Sequence, residues 1–167
     1  TGLVKYWITF NEINSVIVEN YKNAGMFEDD DQSLAQAAHN QFVASARVCL
    51  YKKEYRPDLT IGCMVAYTLS YAKTCSPNDQ LSSLLKKRDY NFFLDVQCKG
   101  QYPSYKLKEY ERKHIHLQME EDDLNVIKNG TVDFIAFSYY NSGVSSTAKE
   151  DEKYGLMGPK KSISCCQ

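Results

Sequence analysis

The sequence lacks the features that mark several large classes of protein. None of its apolar runs approaches the roughly 20 residues that a helix needs to cross a bilayer, and no segment combines the parts of a signal peptide. Its 20 basic and 21 acidic residues nearly cancel, and no basic stripe alternates with aromatic residues. These absences argue against membrane and nucleic-acid partners, and we expect the protein to reside in the cytoplasm.

The chain also lacks the short motifs of common cofactor sites. No GxGxxG, Walker A, CxxC or HExxH pattern is present, which argues against nucleotide binding, redox catalysis and metalloprotease activity. His114 and His116 form a His-x-His pair, but two histidines without a third ligand are weak grounds for a metal site. We therefore predict no cofactor and no bound metal.

The six cysteines follow no regular framework. Four of them lie within apolar stretches, where a free thiol packs as a small hydrophobic group: Cys49, Cys63, Cys75 and Cys98. We expect these thiols to be structural and reduced, in line with a reducing compartment. The pattern assigns no role to the adjacent pair Cys165 and Cys166.

Apolar runs and helical periodicity alternate along the chain. Residues 4–10, 60–69 and 131–140 form strand-like runs, and the first two are continuous enough to predict burial on both faces. Residues 33–55 repeat apolar side chains at spacings of three and four and end before Pro57. Strands separated by helical crossovers predict an α/β fold with a parallel sheet and outer helices.

Capping signals place the remaining helices. The acidic run at residues 28–31 favours the start of the first long helix, in which His39 is expected to be a partly buried helix residue. Ser76 and Pro77 predict the start of a second long helix that stops near Gly100. Its inward side chains should be Leu81, Leu84, Leu85, Phe92, Phe93 and Val96. A charged helical piece follows, and then a short helix at residues 122–128 that Asn129 and Gly130 close.

The character of the sequence changes after Ser142. Residues 143–167 are rich in glycine, serine and charge and show no core pattern. We therefore expect a folded segment at residues 1–142 and a loop or disordered tail at 143–167. An aberrant C-terminus is one explanation of the unusual final residues.

Two predicted strands end in polar side chains. Asn11 and Glu12 follow the first strand, and Tyr140 ends the third. In barrel-type folds the carboxyl ends of parallel strands form the catalytic face, where burial raises the pKa of a carboxyl enough for general acid catalysis. The pattern alone leaves two readings open for each: a catalytic residue, or an ordinary side chain at a solvated strand end.

Four collinear motifs resemble glycoside hydrolase family 1: VKYWITFNEIN, IGCMVAYTLSYAKTCSPND, FFLDVQCKGQYPSY and VDFIAFSYY. Ile13 stands where many other members of that family have proline, and Ser138 stands where many have asparagine. In both positions the chain resembles the bacterial 6-phospho-β-glucosidase branch. The resemblance covers about residues 3–142. It implies an incomplete (β/α)8 TIM barrel, roughly the fourth to sixth strands with their helices.

The resemblance also implies roles for three residues. Glu12 corresponds to the acid/base of a retaining mechanism, Asn11 to a contact of the sugar 2-hydroxyl, and Tyr140 to a tyrosine that hydrogen-bonds the nucleophile. The nucleophile's Glu-Asn-Gly motif is absent from the chain. Glu19 and Asn20 match its first two residues, but they directly follow the first strand and lack the glycine, so we do not assign them this role. We expect a piece of a 6-phospho-β-glucosidase, with phosphorylated β-glucosides as substrates, that is inactive as an isolated chain.

Two alternatives remain open. A non-catalytic barrel remnant would expose unpaired sheet edges and apolar helix faces, and would self-associate or dock onto missing segments. A small independent α/β binding module would instead have a self-contained sheet, with Glu12 and Tyr140 far apart.

Overall fold

The computed structural model describes residues 2–17 and 20–147 of the chain. The elements follow the predicted order of strand, helix, strand, helices and strand, with a 3₁₀ turn and a short helix added between the first strand and the first long helix. In chain order they are β1 (Tyr6–Ile8), the 3₁₀ turn Ile13–Ile17, α1 (Asn20–Ala24), α2 (Asp31–Tyr55), β2 (Thr60–Ala72), α3 (Pro77–Lys99), α4 (Ser104–Arg112), α5 (Asp123–Asn129) and β3 (Phe134–Ser145).

The three strands form one sheet with the order β1-β2-β3. β1 pairs with β2 in parallel, with Tyr6 opposite Thr60. The backbone N–H of Asp133, just before β3, donates to Ile61 O at the start of β2 over 2.7 Å. Because β2 and β3 begin at the same end of the sheet, the predicted parallel arrangement is confirmed. Among the described helices, none is both long and apolar enough to cross a membrane.

The described chain divides into two compact units. The first contains residues 2–17, 20–65 and 92–137, and the second contains residues 66–91 and 138–147. β2, α3 and β3 each begin in one unit and end in the other.

An aromatic cluster forms the core of the first unit. The ring of Phe42, on α2, lies 5.4 Å from that of Phe92 and 5.5 Å from that of Phe93, both on α3. The predicted inward positions Phe92, Phe93 and Val96 are buried. The acidic start of α2 is confirmed as well, since Asp30 Oδ1 accepts a hydrogen bond of 3.0 Å from Ser33 N–H.

Gly130 closes α5, as the sequence predicts, and it has a second role. Its backbone N–H donates to Val126 O over 2.8 Å. A Cβ atom at this position would overlap the backbone and side chain of Ala46 on α2. The residue is therefore needed for the close approach of α5 to α2, and its φ of −97° requires no glycine.

Two predictions about burial are wrong. The first strand covers only Tyr6–Ile8 instead of residues 4–10, and all three of its side chains are exposed. β1 pairs only with β2 among the described strands, so it is an edge strand of the sheet. In α3, the side chains of Leu81, Leu84 and Leu85 are about half exposed. The apolar periodicity identified a helix face correctly, but the other described segments cover its N-terminal part only partly.

The last strand extends further than the sequence predicts. β3 begins at Phe134 and runs to Ser145, so residues 143–145 continue the sheet instead of starting a tail. The hydroxyl groups of Ser145 and Ser70 are hydrogen-bonded at 2.6 Å. Asp79 Oδ1 accepts hydrogen bonds from the N–H and the hydroxyl of Thr147, and these bonds anchor the strand end within the second unit. Residues 148–167, with most of the predicted tail, lie outside the described residues.

Candidate active site

Glu12 lies in the turn that follows the carboxyl end of β1. The strand ends at Ile8, and the carbonyl of Glu12 accepts a hydrogen bond of 2.7 Å from Ser15 N–H as the 3₁₀ turn begins. Asn11 is exposed and Glu12 is partly buried. The two side chains therefore belong to one turn, at the end of a parallel strand where barrel-type folds carry their catalytic groups.

The backbone of Glu12 is strained. Its φ of +46° falls in the left-handed region, which residues with a Cβ atom rarely adopt. Such a conformation costs on the order of 1–3 kcal/mol and persists where the surrounding structure holds it. The following turn does so, because Ile13, Asn14 and Val16 are at most 3% exposed. His114, with φ +53°, is the other described non-glycine residue with a positive φ.

A chain of hydrogen bonds holds the end of β1 against two helices. The hydroxyl of Thr9 is 2.9 Å from that of Ser45 on α2, and Ser45 Oγ donates to Gln97 Oε1 on α3 over 3.4 Å. Gln97 Nε2 donates to Phe93 O over 3.1 Å. These hydrogen bonds were not predicted from the sequence. Their signal was the presence of polar side chains at inward positions of helices that are otherwise apolar there.

Tyr140, the third predicted site residue, lies on β3 in the second unit. Its side chain is 68% exposed. The neighbouring Tyr139 hydroxyl is hydrogen-bonded to that of Ser142. The structure thus brings Asn11 and Glu12 together, and the role of Tyr140 remains a prediction.

An open cleft of about 700 Å³ lies beside Phe10 in the first unit. Much of its lining consists of amide side chains, some of which already have backbone partners. Gln32 pairs with both the N–H and the C=O of His116, each at 2.8 Å. Gln36 pairs in the same way with Gln118, at 2.7 and 2.9 Å. These two amides hold the segment 116–118 against α2, so their hydrogen-bonding groups are already used.

His39 is a structural residue of the first unit, and it is fully buried instead of partly buried as predicted. Its Nδ1 lies 2.9 Å from the hydroxyl of Tyr102, and its Nε2 lies 3.2 Å from Asp123 Oδ2. Burial raises the pKa of Asp123, but hydrogen bonds from Glu120 N–H and from His39 outweigh it and leave that pKa lowered. Burial raises the pKa of Tyr102. At 1% exposure, His39 cannot contact a substrate.

The His-x-His pair lies on the surface. The side chains of His114 and His116 are exposed, and the backbone of His116 is bound by Gln32. Across residues 2–17 and 20–147, no group of three or more His, Cys, Asp or Glu side chains is arranged to hold a metal ion. Glu19, whose Glu-Asn pair lacks the glycine of the nucleophile motif, lies outside the described residues.

The chain matches a family model and several curated proteins. The model of glycosyl hydrolase family 1 matches residues 2–162. The sequence is 42% identical over 152 residues to the aryl-phospho-beta-D-glucosidase BglH of Bacillus subtilis, covering 89% of this chain and 32% of that protein. It is also 42% identical to the 6-phospho-beta-glucosidase AscB of Escherichia coli, covering 87% of this chain and 31% of AscB. The chain therefore spans about a third of the length of these relatives.

Solved structures show the same relation. A beta-glucosidase from Exiguobacterium marinum aligns with a TM-score of 0.71 at 26% identity, over 88% of this chain and 34% of that structure. A family 1 beta-glucosidase from Thermotoga maritima aligns with a TM-score of 0.69 at 25% identity, over 87% of this chain and 33% of the Thermotoga maritima chain. The predicted incomplete (β/α)8 barrel, roughly its fourth to sixth strands, is confirmed. The chain belongs to glycosyl hydrolase family 1.

Proposed function

We propose that this chain carries the general acid/base of a retaining 6-phospho-β-glucosidase, whose substrates are phosphorylated β-glucosides. The observation that carries the proposal is the strained Asn11-Glu12 turn at the carboxyl end of a parallel strand. The relatives named 6-phospho-beta-glucosidase or aryl-phospho-beta-D-glucosidase, at 38–42% identity, supply the substrate class.

Glu12 would act twice in such a reaction. In the first step its protonated carboxyl donates a proton to the glycosidic oxygen while a second carboxylate attacks the anomeric carbon. In the second step the Glu12 carboxylate takes a proton from water, which releases the sugar from that second carboxylate. Asn11 would bind the sugar 2-hydroxyl, and Tyr140 would hydrogen-bond the nucleophile.

The second carboxylate must come from outside this sequence. Retaining enzymes place their two carboxyl groups about 5–5.5 Å apart, and no Glu-Asn-Gly motif is present to supply the partner. Without a nucleophile the covalent step cannot occur. The chain is therefore expected to contribute half of the catalytic pair and to be inactive alone.

Incubation of the purified chain with a chromogenic β-glucoside 6-phosphate tests this expectation. We expect no turnover above buffer, with the full-length Bacillus subtilis relative as a positive control. Turnover by the isolated chain that disappears in Glu12→Gln would overturn the claim of inactivity and support the role of Glu12. Turnover that survives Glu12→Gln would contradict the assignment of the acid/base.

The phosphorylated substrate suggests the compartment. A sugar phosphate carries charge and does not cross a lipid bilayer unaided. We therefore propose the cytoplasm, where such substrates would be formed or delivered, as the site of action.

A second candidate function is favoured by the exposure of β1. Tyr6, Trp7 and Ile8 are 42–67% exposed on an edge strand, and such edges pair readily with other chains. The chain would then act as a non-catalytic remnant that self-associates or docks onto other barrel segments. Sedimentation velocity of the chain and of Trp7→Lys tests this. Oligomers that dissociate in the variant would support it, and a monomeric parent chain would count against it.

A further inference from the structure

The turn that closes α5 contains the one Asn-Gly pair of the sequence, Asn129 and Gly130. Asn129 is exposed, and Gly130 is buried. Asparagine is a chemically labile residue, and it loses its side-chain amide most readily before glycine, which has no Cβ atom to hinder attack by its own backbone nitrogen. A reactive pair therefore lies where the surface meets the core of the first unit.

The hydrogen bonds of the closed turn oppose this reaction. The N–H of Gly130 donates to Val126 O over 2.8 Å, so the nitrogen that must attack is already engaged. Asn129 Nδ2 donates to both the backbone O and Oδ1 of Asn125, each at 2.9 Å. These bonds hold the amide group against the preceding turn of the helix. The reaction therefore requires opening of the last turn of α5, a local event that costs less than global unfolding.

We propose that Asn129 is a modification site that deamidates when the last turn of α5 opens, and that its isoaspartate product prevents the turn from closing again. The inference goes beyond the glycosidase assignment and does not depend on it. The substrate is the chain itself, and the co-reactant is water.

The proposed chemistry needs no oxidant or reductant. The backbone nitrogen of Gly130 loses its proton and attacks Cγ of Asn129, and the bond from Cγ to the amide nitrogen breaks. Ammonia leaves with that proton, and a cyclic succinimide remains. Water then adds to one of the two ring carbonyls and breaks one C–N bond. The product is aspartate on a normal backbone or isoaspartate, in which the backbone runs through the former side chain.

The closed turn has no room for the longer backbone of isoaspartate, which contains one additional methylene group after residue 129. A Cβ atom built on Gly130 would lie 2.4 Å from Ala46 O on α2. A Cβ atom built on Gly100, the residue after α3, would lie 2.7 Å from Lys128 O. Backbone atoms of two other segments thus lie in close contact with the turn, so added atoms cannot be accommodated without displacing one of them.

The backbone that follows the turn is anchored as well. Val132 N–H donates to Gln97 O on α3 over 3.1 Å, and Asp133 N–H donates to Ile61 O on β2 over 2.7 Å. The added length therefore cannot be taken up after the turn while these bonds persist. Isoaspartate has to move α5 away from α2 or break the bonds that precede β3.

Peptide mapping by mass spectrometry tests the site and its dependence on opening. The full chain is incubated at mildly alkaline pH in buffer and in concentrated urea. We expect deamidation at Asn129 in both, at least about tenfold slower in buffer because the closed turn protects the pair. Asn14 and Asn141, which precede serine, are internal comparisons and should react more slowly than Asn129 in urea. Equal rates at Asn129 in buffer and urea, or no reaction there in urea, would overturn the proposal.

A second measurement tests the effect of the longer backbone. Chains deamidated in urea are returned to buffer and separated by charge, and an isoaspartyl methyltransferase identifies those with isoaspartate. We expect these chains to unfold at a lower urea concentration than Asn129→Asp, which carries the same charge on a normal backbone. Asn129→Gln should remain unmodified throughout. Equal unfolding midpoints for the isoaspartate chain and Asn129→Asp would contradict the claim that the turn cannot close again.

Discussion

β1 and β2 are neighbouring parallel strands with similar apolar sequences and very different surroundings. Ile8 on β1 is 42% exposed, whereas Ile61 on β2 is 3% exposed. β2 lies in the centre of the sheet, and β1 lies at its edge. An apolar run therefore shows that a segment can be buried, but the neighbours of the strand decide whether it is. The less protected strand is the one that leads into the turn with Asn11 and Glu12.

Truncation of one isoleucine on each strand should give the largest contrast. Ile61→Ala removes a buried side chain and leaves a cavity, which should lower the free energy of unfolding by about 2–5 kcal/mol. Ile8→Ala removes a side chain that is already in contact with water, and should cost less than about 1 kcal/mol. Urea denaturation of both variants measures the difference. Equal costs would mean that β1 is buried in solution.

The next contrast concerns Asp133, which ties the start of β3 to β2. Its carboxylate accepts hydrogen bonds from Ile61 N–H at 2.8 Å and from Lys52 Nζ at 2.9 Å. Asp133→Asn should cost about 1–3 kcal/mol at neutral pH, the usual effect of removing a partner from such groups. Asp58→Asn, at an exposed pair with Arg56, is the control and should change stability little.

The effect of Asp133 should depend on pH. Burial raises the pKa of its carboxyl, but the hydrogen bonds from Ile61 and Lys52 outweigh it and leave that pKa lowered. A folded pKa below the unfolded value of about 3.9 means that the stabilisation is complete above that pH and is lost as the pH falls through the folded pKa. The difference between parent and Asp133→Asn should shrink below about pH 4. A difference that grows on acidification would contradict the assignment.

The smallest effect is expected at the end of β1. Glu12→Gly removes the left-handed strain of a residue with φ +46°, and should raise stability by up to about 1 kcal/mol, since the greater freedom of glycine in the unfolded chain offsets part of the gain. His114→Gly, at φ +53°, is the matched control for the same relief at a surface site. Thermal melting measures both. A clear loss of stability in Glu12→Gly alone would show that the carboxylate stabilises the fold.

Much of the fold could be predicted because its signals are local. The periodicity of α2, the proline at the start of α3 and the glycine after α5 depend on residues close together in sequence. The exposure of β1 and of Leu81 on α3 could not be predicted in this way, because burial depends on which other segments lie against them. The apolar runs of the strands could be recognised in the sequence, but such a run does not show which other segments pack against it.

In the candidate site, too, only the features that depend on residues close together in sequence could be predicted. The adjacency of Asn11 and Glu12 at a strand end followed from the sequence. The left-handed backbone of Glu12 did not, because no neighbouring residue type marks it. The hydrogen bonds from Thr9 through Ser45 to Gln97 join three distant parts of the chain, so only the tertiary structure reveals them.

We propose that Glu12 is the acid/base of a family 1 glycosidase, and a chimera with a full-length relative tests this role. Residues 2–147 would replace the matching third of the Bacillus subtilis aryl-phospho-beta-D-glucosidase, with Glu12→Gln as the test variant and the exposed Glu121→Gln as the control. With cellobiose 6-phosphate, whose leaving group needs protonation, we expect Glu12→Gln to lower kcat/KM by about 10²–10⁴-fold and Glu121→Gln to leave it unchanged. An active chimera in which Glu12→Gln has no effect on kcat/KM would show that Glu12 is not the acid/base.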